Sequence, residues 1–235
     1  MTRLRSEASA RQPAKQNPAV KKKQIFIVDD HPMMREGLAQ LIAHEPDLAV
    51  CGEAGNSREA LDLIGKLKPD LVLADISLPD KSGLELIKDL QALHPKLLAL
   101  VISMHDESLH AERVLRAGGR GYIMKQEGGN KIVQAIRQVL SGKIYVSEKM
   151  SARILETFTG HSQTGRSQME KLTDREFEIF QLIGEGKGTR DIAKQLRLSI
   201  KTVESHRANI KEKLQIKDAM ELVRQAVRWV EAHGG

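Results

Sequence analysis

The chain has 235 residues, of which 40% are hydrophobic and 29% charged, a balance typical of a globular protein of one or two domains. Its single cysteine, Cys51, excludes a disulfide framework within the chain and argues against a cysteine-based metal site. Because the sequence has neither an apolar stretch long enough to cross a membrane nor an apolar signal core at its basic start, we expect a cytoplasmic protein with no membrane contact.

The net charge of +6 is distributed unevenly along the chain. Residues 1–23 hold seven Lys/Arg and one Glu, residues 24–145 hold 14 basic and 17 acidic residues, and residues 146–235 hold 16 basic and 13 acidic residues. The first segment is also rich in Pro, Ala, Gln and Ser, so we expect residues 1–23 to be a disordered basic extension. Because residues 1–23 alone carry a charge of +6, equal to the net charge of the chain, basicity is weak evidence for DNA binding.

Short apolar runs alternate with amphipathic stretches from Ile25 to about Lys143. The runs are IFIV (25–28), LAVC (48–51), LVLA (71–74), LALVIS (98–103) and GYIM (121–124). Continuous apolar runs are typical of strands that are covered on both faces of a parallel sheet. Predicted helices lie between and after them, at residues 33–44, 57–67, 83–93, 107–117 and 129–141. Five strand–helix units predict a doubly wound α/β domain with a five-stranded parallel sheet over residues 24–145.

The remainder of the chain has a different pattern. Residues 146–169 are predicted to be a helix followed by a polar linker that is rich in Gly and Ser. Thr173 and Glu176 have the spacing of a capping box and predict a helix start. A short helix at 189–196, a tight turn and a second helix starting after Ser199 have the spacing of a helix-turn-helix. With a last helix at about 218–230, they predict a small all-α, four-helix domain over residues 170–233.

Polar residues interrupt the predicted α/β domain where its strands end. Asp29 and Asp30 follow the first strand, Asp75 ends the third, Ser103 ends the fourth and Lys125 follows the fifth. Because the carboxyl ends of parallel strands meet at one edge of the sheet, we expect these side chains to lie together. Clustered carboxylates favour a hard divalent cation, and we expect Mg²⁺ with a phosphoryl group as its companion.

The segments IVDDH, ADISLPDKSGLEL, LVISMH and GGRGYIMK resemble the receiver domain of two-component response regulators, a flavodoxin-like fold. The resemblance covers residues 24–145 and implies that Asp75 accepts a phosphoryl group from a histidine kinase. It implies that Asp30, Asp75 and the backbone carbonyl of Ser77 bind Mg²⁺ directly, and that Asp29 acts through water.

The same resemblance assigns the other polar residues at the sheet edge. Ser103 is implied to donate to a phosphoryl oxygen and Lys125 to neutralise its charge. Tyr122 matches an aromatic switch position, and its ring is expected to rotate inward as Ser103 moves. Ser103 stands where Thr is commoner, but it keeps the hydroxyl. His31 is interpreted only as a residue at a helix start.

The segment LTDREFEIFQLIGEGKGTRDIAKQLRLSIKTVESHRANIKEKL resembles the four-helix DNA-binding domain of the LuxR/NarL type. Helical spacing places Val203, Ile210 and Leu214 inward, and the resemblance implies that the opposite face enters the major groove of double-stranded DNA. The expected contacts to bases come from Glu204, Ser205 and Ala208. The expected contacts to phosphates come from Thr189, Lys201, Thr202, Arg207 and Lys211.

Together these patterns predict a DNA-binding transcriptional regulator that is switched by phosphorylation of Asp75 and is not an enzyme. The last helix has two apolar stripes, and the second of them suggests a homodimer in the phosphorylated or DNA-bound state. Before phosphorylation, the receiver is expected to cover the recognition helix.

Three alternatives remain open. One is an aspartyl-nucleophile phosphatase, although Ser77 stands where its acid/base Asp is expected. Another is a regulator that binds DNA without phosphorylation. The third is a plain helical interaction domain in place of the DNA-binding domain.

Overall fold

The computed structural model describes residues 21–158, 169 and 171–233. The predicted extension, apart from residues 21–23, and the predicted linker at 160–168 lie outside the described residues. The strands are β1 (Lys23–Val28), β2 (Leu48–Ala54), β3 (Leu71–Asp75), β4 (Leu98–Ser103) and β5 (Gly121–Met124). The helices are α1 (Pro32–Ala43), α2 (Ser57–Leu67), α3 (Gly83–Leu93), α4 (Glu107–Arg116), α5 (Gly129–Leu140), α6 (Glu148–Phe158), α7 (Asp174–Gly184), α8 (Thr189–Gln195), α9 (Ile200–Leu214) and α10 (Ala219–His233).

The five strands form one parallel sheet in the order β2-β1-β3-β4-β5, which confirms the doubly wound α/β prediction. Alternate residues of each strand point to opposite faces. Ile25 and Ile27 therefore pack under α1 and α5, while Phe26 and Val28 pack under α2 and α3. Both faces are covered, which is why the strands read as continuous apolar runs. We refer to this part as the α/β domain.

Helices α7 to α10 form a separate core, which we call the helical domain. Phe177, Phe180 and Ile183 of α7 lie in its centre, as their helical spacing predicts, and each is at most 2% exposed. Leu222 and Ala226 of α10 pack against them, so one of the two apolar stripes of the last helix serves this core. The predicted four-helix architecture is therefore confirmed.

The predicted capping box at the start of α7 is present. Thr173 Oγ1 accepts from the backbone nitrogen of Glu176, and Glu176 Oε2 accepts from the backbone nitrogen of Thr173 at 2.8 Å. Lys213 of α9 also donates to Glu176 Oε2, at 2.6 Å. Burial would raise the pKa of Glu176, but the hydrogen bonds from Lys213 and Thr173 outweigh burial and lower this pKa below its ordinary value of 4.5.

We expect Glu176→Gln to destabilise the helical domain at neutral pH, with a loss of stability that shrinks in acid. Because the folded-state pKa of Glu176 is depressed, its ionised form contributes stability above pH 4.5, and this is lost as pH falls through the folded value. The measurement is urea unfolding of wild type and variant between neutral and acidic pH. The exposed residue Glu185 provides the control for the loss of one carboxylate, and Glu185→Gln should cost less stability at neutral pH than Glu176→Gln. A constant difference for Glu176→Gln would contradict this assignment.

Candidate functional site

Three carboxylates meet at the carboxyl edge of the sheet, as the strand ends predict. Asp29 and Asp30 follow β1, and Asp75 is the last residue of the neighbouring β3. Asp29, Asp30, Asp75 and His31 each offer one ligand atom, and these atoms all lie within 4.8 Å of one another. We call the three carboxylates the acidic site. Asp29 and Asp75 are buried, so their charges require compensation from groups in or near the protein.

Lys125 supplies part of this compensation. Its Nζ donates to Asp75 Oδ2 at 2.7 Å and lies 2.7 Å from Asp29 Oδ2. Burial would lower the pKa of Lys125, but the Asp75 and Asp29 carboxylates raise it above its ordinary value, so the ammonium stays charged. Burial and the nearby Asp29 raise the pKa of Asp75 although Lys125 opposes this shift. The site therefore holds more negative charge than one ammonium balances.

The residues present fit a magnesium ion. Their carboxylate oxygens are the ligands that Mg²⁺ prefers. Asp29 Oδ2 and Asp30 Oδ1 are buried, and each has one charged or polar nitrogen close by, Lys125 Nζ and His31 Nδ1 respectively. Within the described residues neither contact has good hydrogen-bond geometry, so both oxygens retain lone pairs for a ligand. His31 was interpreted only as a helix-start residue; it is the N-cap of α1, but its Nδ1 also lies 2.7 Å from Asp30 Oδ1. The sequence signal for this contact with Asp30 is the position of His31 directly after the acidic pair.

Ser103 and Tyr122 are linked through the loop after β4. Ser103 Oγ accepts from the backbone nitrogen of His105 at 3.1 Å, and Tyr122 Oη donates to the carbonyl of His105 at 2.8 Å. Burial raises the pKa of Tyr122 well above its ordinary value. The ring already points inward and is 1% exposed, so inward rotation is not needed to reach the arrangement seen here.

Asp80 anchors the loop after Asp75, a role that the sequence reading missed. Its carboxylate accepts from the hydroxyl of Ser57 at 2.6 Å and from the backbone nitrogens of Ser57 and Arg58. Burial would raise the pKa of Asp80, but these hydrogen bonds lower it to about 2. The loop that carries Ser77 is thereby tied to the start of α2.

The helical domain reaches the acidic site with two side chains. Glu178 Oε1 of α7 accepts from the hydroxyl of Ser77 at 2.9 Å, and Ser77 Oγ also lies 3.0 Å from His105 Nε2. Arg197, in the turn between α8 and α9, places Nη1 2.9 Å from Asp30 Oδ2. Sequence reasoning found neither contact, because each depends on how the two domains pack.

Arg113 of α4 makes several contacts with the first turn of α7 and the residues before it. The Arg113 guanidinium lies 3.9 Å from the centre of the Phe177 ring and donates to Asp174 Oδ1 at 3.1 Å. It also donates to the carbonyl of Met169 at 2.5 Å. Lys88 of α3 donates to Asp174 Oδ2 at 2.7 Å. This interface uses α7, so the expectation that the α/β domain covers the recognition helix is wrong for this structure.

The recognition helix α9 presents a polar face. Val203, Ile210 and Leu214 are buried, as predicted. Of the predicted DNA-contacting residues, the exposed ones are Lys201, Glu204, Ser205 and Ala208. The half-buried ones are Thr189, Thr202, Arg207 and Lys211. Ser199 caps the helix by accepting from the backbone nitrogen of Thr202 at 3.0 Å. The predicted base-contacting residues are thus accessible.

Comparisons with known proteins give a consistent answer. Residues 25–137 match the response regulator receiver domain, and residues 170–226 match the bacterial regulatory proteins of the luxR family. The chain belongs to the two-component response regulators that join a receiver domain to a LuxR-type helix-turn-helix domain, and it is a transcriptional regulator of that class.

Two named relatives match most of this chain. It is 31% identical over 223 residues to the transcriptional regulatory protein DegU of Brevibacillus brevis, covering 88% of this chain and 94% of the relative. It is 33% identical over 209 residues to the oxygen regulatory protein NreC of Staphylococcus haemolyticus, covering 87% and 96%.

Solved structures support the same family. RcsB of Salmonella enterica serovar Typhimurium, bound to promoter rprA in the presence of phosphomimetic BeF3-, is 26% identical with a TM-score of 0.56, over 87% of this chain and 98% of that chain. A LuxR-family response regulator of Aurantimonas is 33% identical with a TM-score of 0.55, over 59% and 99%. Across the described part of the chain, none of the helices combines the length and apolar character that crossing a bilayer demands.

Proposed function

We propose that Asp75 accepts a phosphoryl group from a histidine kinase and that this modification switches DNA binding by the helical domain. The observation that carries the proposal is the position of Asp75: a buried carboxylate, 2.7 Å from Lys125 Nζ and beside Asp29 and Asp30, in a chain with an exposed recognition helix. In the transfer, an Asp75 oxygen forms a bond to phosphorus while the bond from phosphorus to the kinase histidine nitrogen breaks. The released imidazole takes up a proton from solvent.

We propose Mg²⁺ as the cofactor, held by Asp29, Asp30, Asp75 and the backbone carbonyl of Ser77. The bound ion would neutralise charge on the phosphoryl oxygens. Lys125 would also neutralise charge on these oxygens, since its Nζ already contacts Asp75. Ser103 would donate its hydroxyl to a phosphoryl oxygen. A movement of Ser103 would be passed to Tyr122, because both side chains contact the backbone of His105.

We propose the domain division 1–23, 24–145, 146–169 and 170–233, and a cytoplasmic location.

We also propose that the chain does not turn over phosphate esters. A phosphatase with an aspartyl nucleophile is expected to have an acid/base Asp two residues after that nucleophile. In this chain that position is Ser77, whose hydroxyl donates to Glu178.

A homodimer on paired DNA half-sites is proposed for the phosphorylated state. The second stripe of α10, formed by Ala219, Val223, Val227 and Val230, supports it, because Ala219 is exposed and Val223 is 40% exposed. The relative RcsB supports the DNA-binding role, since it was solved on a promoter in the presence of a phosphomimetic.

The test of the proposed switch is DNA affinity before and after phosphorylation. A preferred duplex is first selected from a random library with wild-type protein treated with acetyl phosphate and Mg²⁺. Its affinity is then measured by fluorescence anisotropy for treated and untreated wild type and for treated Asp75→Asn. We expect tighter binding only for treated wild type. Equal affinity of all three samples would refute the switch and leave a regulator that does not need phosphorylation.

Substitutions on α9 should separate affinity from sequence preference. We expect Lys201→Ala to weaken binding to every duplex and to reduce the dependence on salt by about one released counterion, because a phosphate contact is lost. Glu204→Ala should instead change which bases are preferred, because a carboxylate accepts from cytosine. Lys217→Ala, an exposed lysine beyond the end of α9, is the matched control. A change of sequence preference in Lys201→Ala would contradict these roles.

A further inference from the structure

The contact between Arg197 and Asp30 joins the DNA-binding domain directly to the acidic site. Arg197 lies in the turn of the helix-turn-helix, with a backbone φ of 53°, and its Nη1 is 2.9 Å from Asp30 Oδ2. The side chain of Asp30 is only 8% exposed, whereas that of Arg197 is 54% exposed. A cation from the helical domain therefore contacts a predicted ligand of Mg²⁺.

The charges of the acidic site explain why a second cation is attracted there. Three carboxylates face one ammonium, that of Lys125, which leaves an excess of two negative charges when His31 is neutral. A divalent cation matches this excess, and Arg197 supplies half of it. Both cations are attracted by the same nearly buried carboxylate of Asp30, so each reduces the attraction for the other.

A second contact places the helical domain over the same site. Ser77 is the residue whose carbonyl is a proposed Mg²⁺ ligand, and its hydroxyl donates to Glu178 of α7. Docking of the helical domain therefore contacts the acidic site on the β1 side, through Arg197, and on the β3 side, through Glu178. A shift of the Asp30 carboxylate toward a metal ion would change the contact with Arg197, and a shift of the Ser77 loop would change the contact with Glu178.

The centre of the interface contains buried polar groups that favour its opening. His110 of α4 packs edge-on against Phe177, and Gln181 of α7 is also buried. Gln181 lies close enough to interact with the His110 ring, but among the described residues no hydrogen bond of good geometry reaches the ring nitrogens of His110 or the amide of Gln181. Such groups regain water when the domains separate, so loss of the Arg197 contact acts on an interface that is not fully satisfied.

We propose that Arg197 and a divalent cation compete for Asp30, so that metal binding at the acidic site and docking of the helical domain oppose each other. The proposal rests on the proposed function, since it takes the acidic site to be the Mg²⁺ site. Linkage makes the effect reciprocal: Mg²⁺ weakens docking by the same factor by which docking weakens Mg²⁺ binding. Metal binding then loosens the helical domain before any phosphoryl group arrives.

The test is titration of the full chain with MgCl₂ at constant ionic strength. Calorimetry measures the affinity for Mg²⁺, and the fluorescence emission of Trp229 is recorded during the same titration. Trp229 is the single tryptophan and lines the cleft between the domains together with Leu109 and Arg113, so its emission reports opening. Small-angle scattering with and without Mg²⁺ gives the radius of gyration as a second measure of opening. None of these three measurements depends on phosphorylation.

Three variants and one control separate the proposal from a local charge effect. Arg197→Gln removes the competing cation, and Ser77→Ala removes the second contact without changing any charge. Arg113→Gln weakens docking through the contacts with Asp174 and Phe177 rather than at the acidic site. Arg190→Gln, on an exposed residue of α8, is the matched loss of one arginine.

We expect Arg197→Gln to bind Mg²⁺ about fivefold more tightly than wild type or better, near the lower end of known coupling factors. Arg113→Gln and Ser77→Ala should also bind more tightly, and Arg190→Gln should match wild type. Mg²⁺ should expand wild type and shift its Trp229 emission. Equal Mg²⁺ affinity for wild type, Arg197→Gln and Arg113→Gln would overturn the competition while leaving the metal site intact. No Mg²⁺ binding by any of these proteins would overturn the proposed metal site itself, and the competition with it.

Discussion

After incubation with acetyl phosphate and Mg²⁺, we expect the wild-type chain to gain the mass of one phosphoryl group and Asp75→Asn to gain none. Asp75 combines three features that an acceptor needs. Its carboxylate lies at the open end of β3, its charge is partly balanced by Lys125 at 2.7 Å, and Asp29 and Asp30 lie close enough to share a cation with it. An amide at this position is a far weaker nucleophile. Intact-mass spectrometry measures the adduct directly.

Two controls make this result specific. Asp89→Asn, a change in a half-buried carboxylate on α3 that pairs with Lys81, should leave the adduct unchanged. Chelation of Mg²⁺ should reduce the wild-type adduct to background, because the negative excess of the acidic site repels a phosphate donor. An adduct on Asp75→Asn of the same yield would move the acceptor elsewhere, and Asp30 would be the first residue to examine.

The α/β domain was predictable because its sequence signals are local. Each strand is a continuous apolar run, and each polar residue at a strand end comes to the same edge once the strands are parallel. The helices 57–67 and 83–93 were predicted with the bounds that the structure shows, and caps from Asn56 and Ser82 explain why. Strand β2 was predicted to end at Cys51, but it continues to Ala54 because Gly52, Glu53 and Ala54 pair with β1.

The contacts between the domains were not predictable from local signals. Arg197 reads as an ordinary turn residue, and Glu178 reads as a polar position on an amphipathic helix. Only the packing of α7 against α3 and α4 brings Glu178 to Ser77 and Arg197 to Asp30. The same packing explains why the predicted cover on the recognition helix is absent here: the α/β domain contacts the first turn of α7, and α9 keeps its polar face accessible.

We expect Gly83→Ala to cause the largest loss of stability among single-methyl additions in the α/β domain, about 3 kcal/mol in the free energy of unfolding. Gly83 begins α3, and its backbone nitrogen donates to the carbonyl of Ile76 at 2.7 Å, so the loop after Asp75 returns very close to the strand end. A Cβ on Gly83 would lie 2.0 Å from the carbonyl oxygen of Asp75 and 2.9 Å from Cα of Ile76. These are backbone atoms that cannot move aside as a flexible side chain can.

Gly65 is the matched control, because it lies on the exposed side of α2 with nothing within 4 Å of an added Cβ. Gly65→Ala should stabilise the domain by about 0.5 to 1 kcal/mol, since alanine favours a helix interior. Urea unfolding of both variants gives the two free energies, and intact mass gives the rate of phosphoryl uptake. For Gly83→Ala that rate should fall even where the protein is folded, because relief of the clash displaces Asp75 from Lys125. A folded Gly83→Ala with wild-type stability and uptake would show that the loop can move without shifting the acidic site, and the proposed dependence of Asp75 on this close approach would then be wrong.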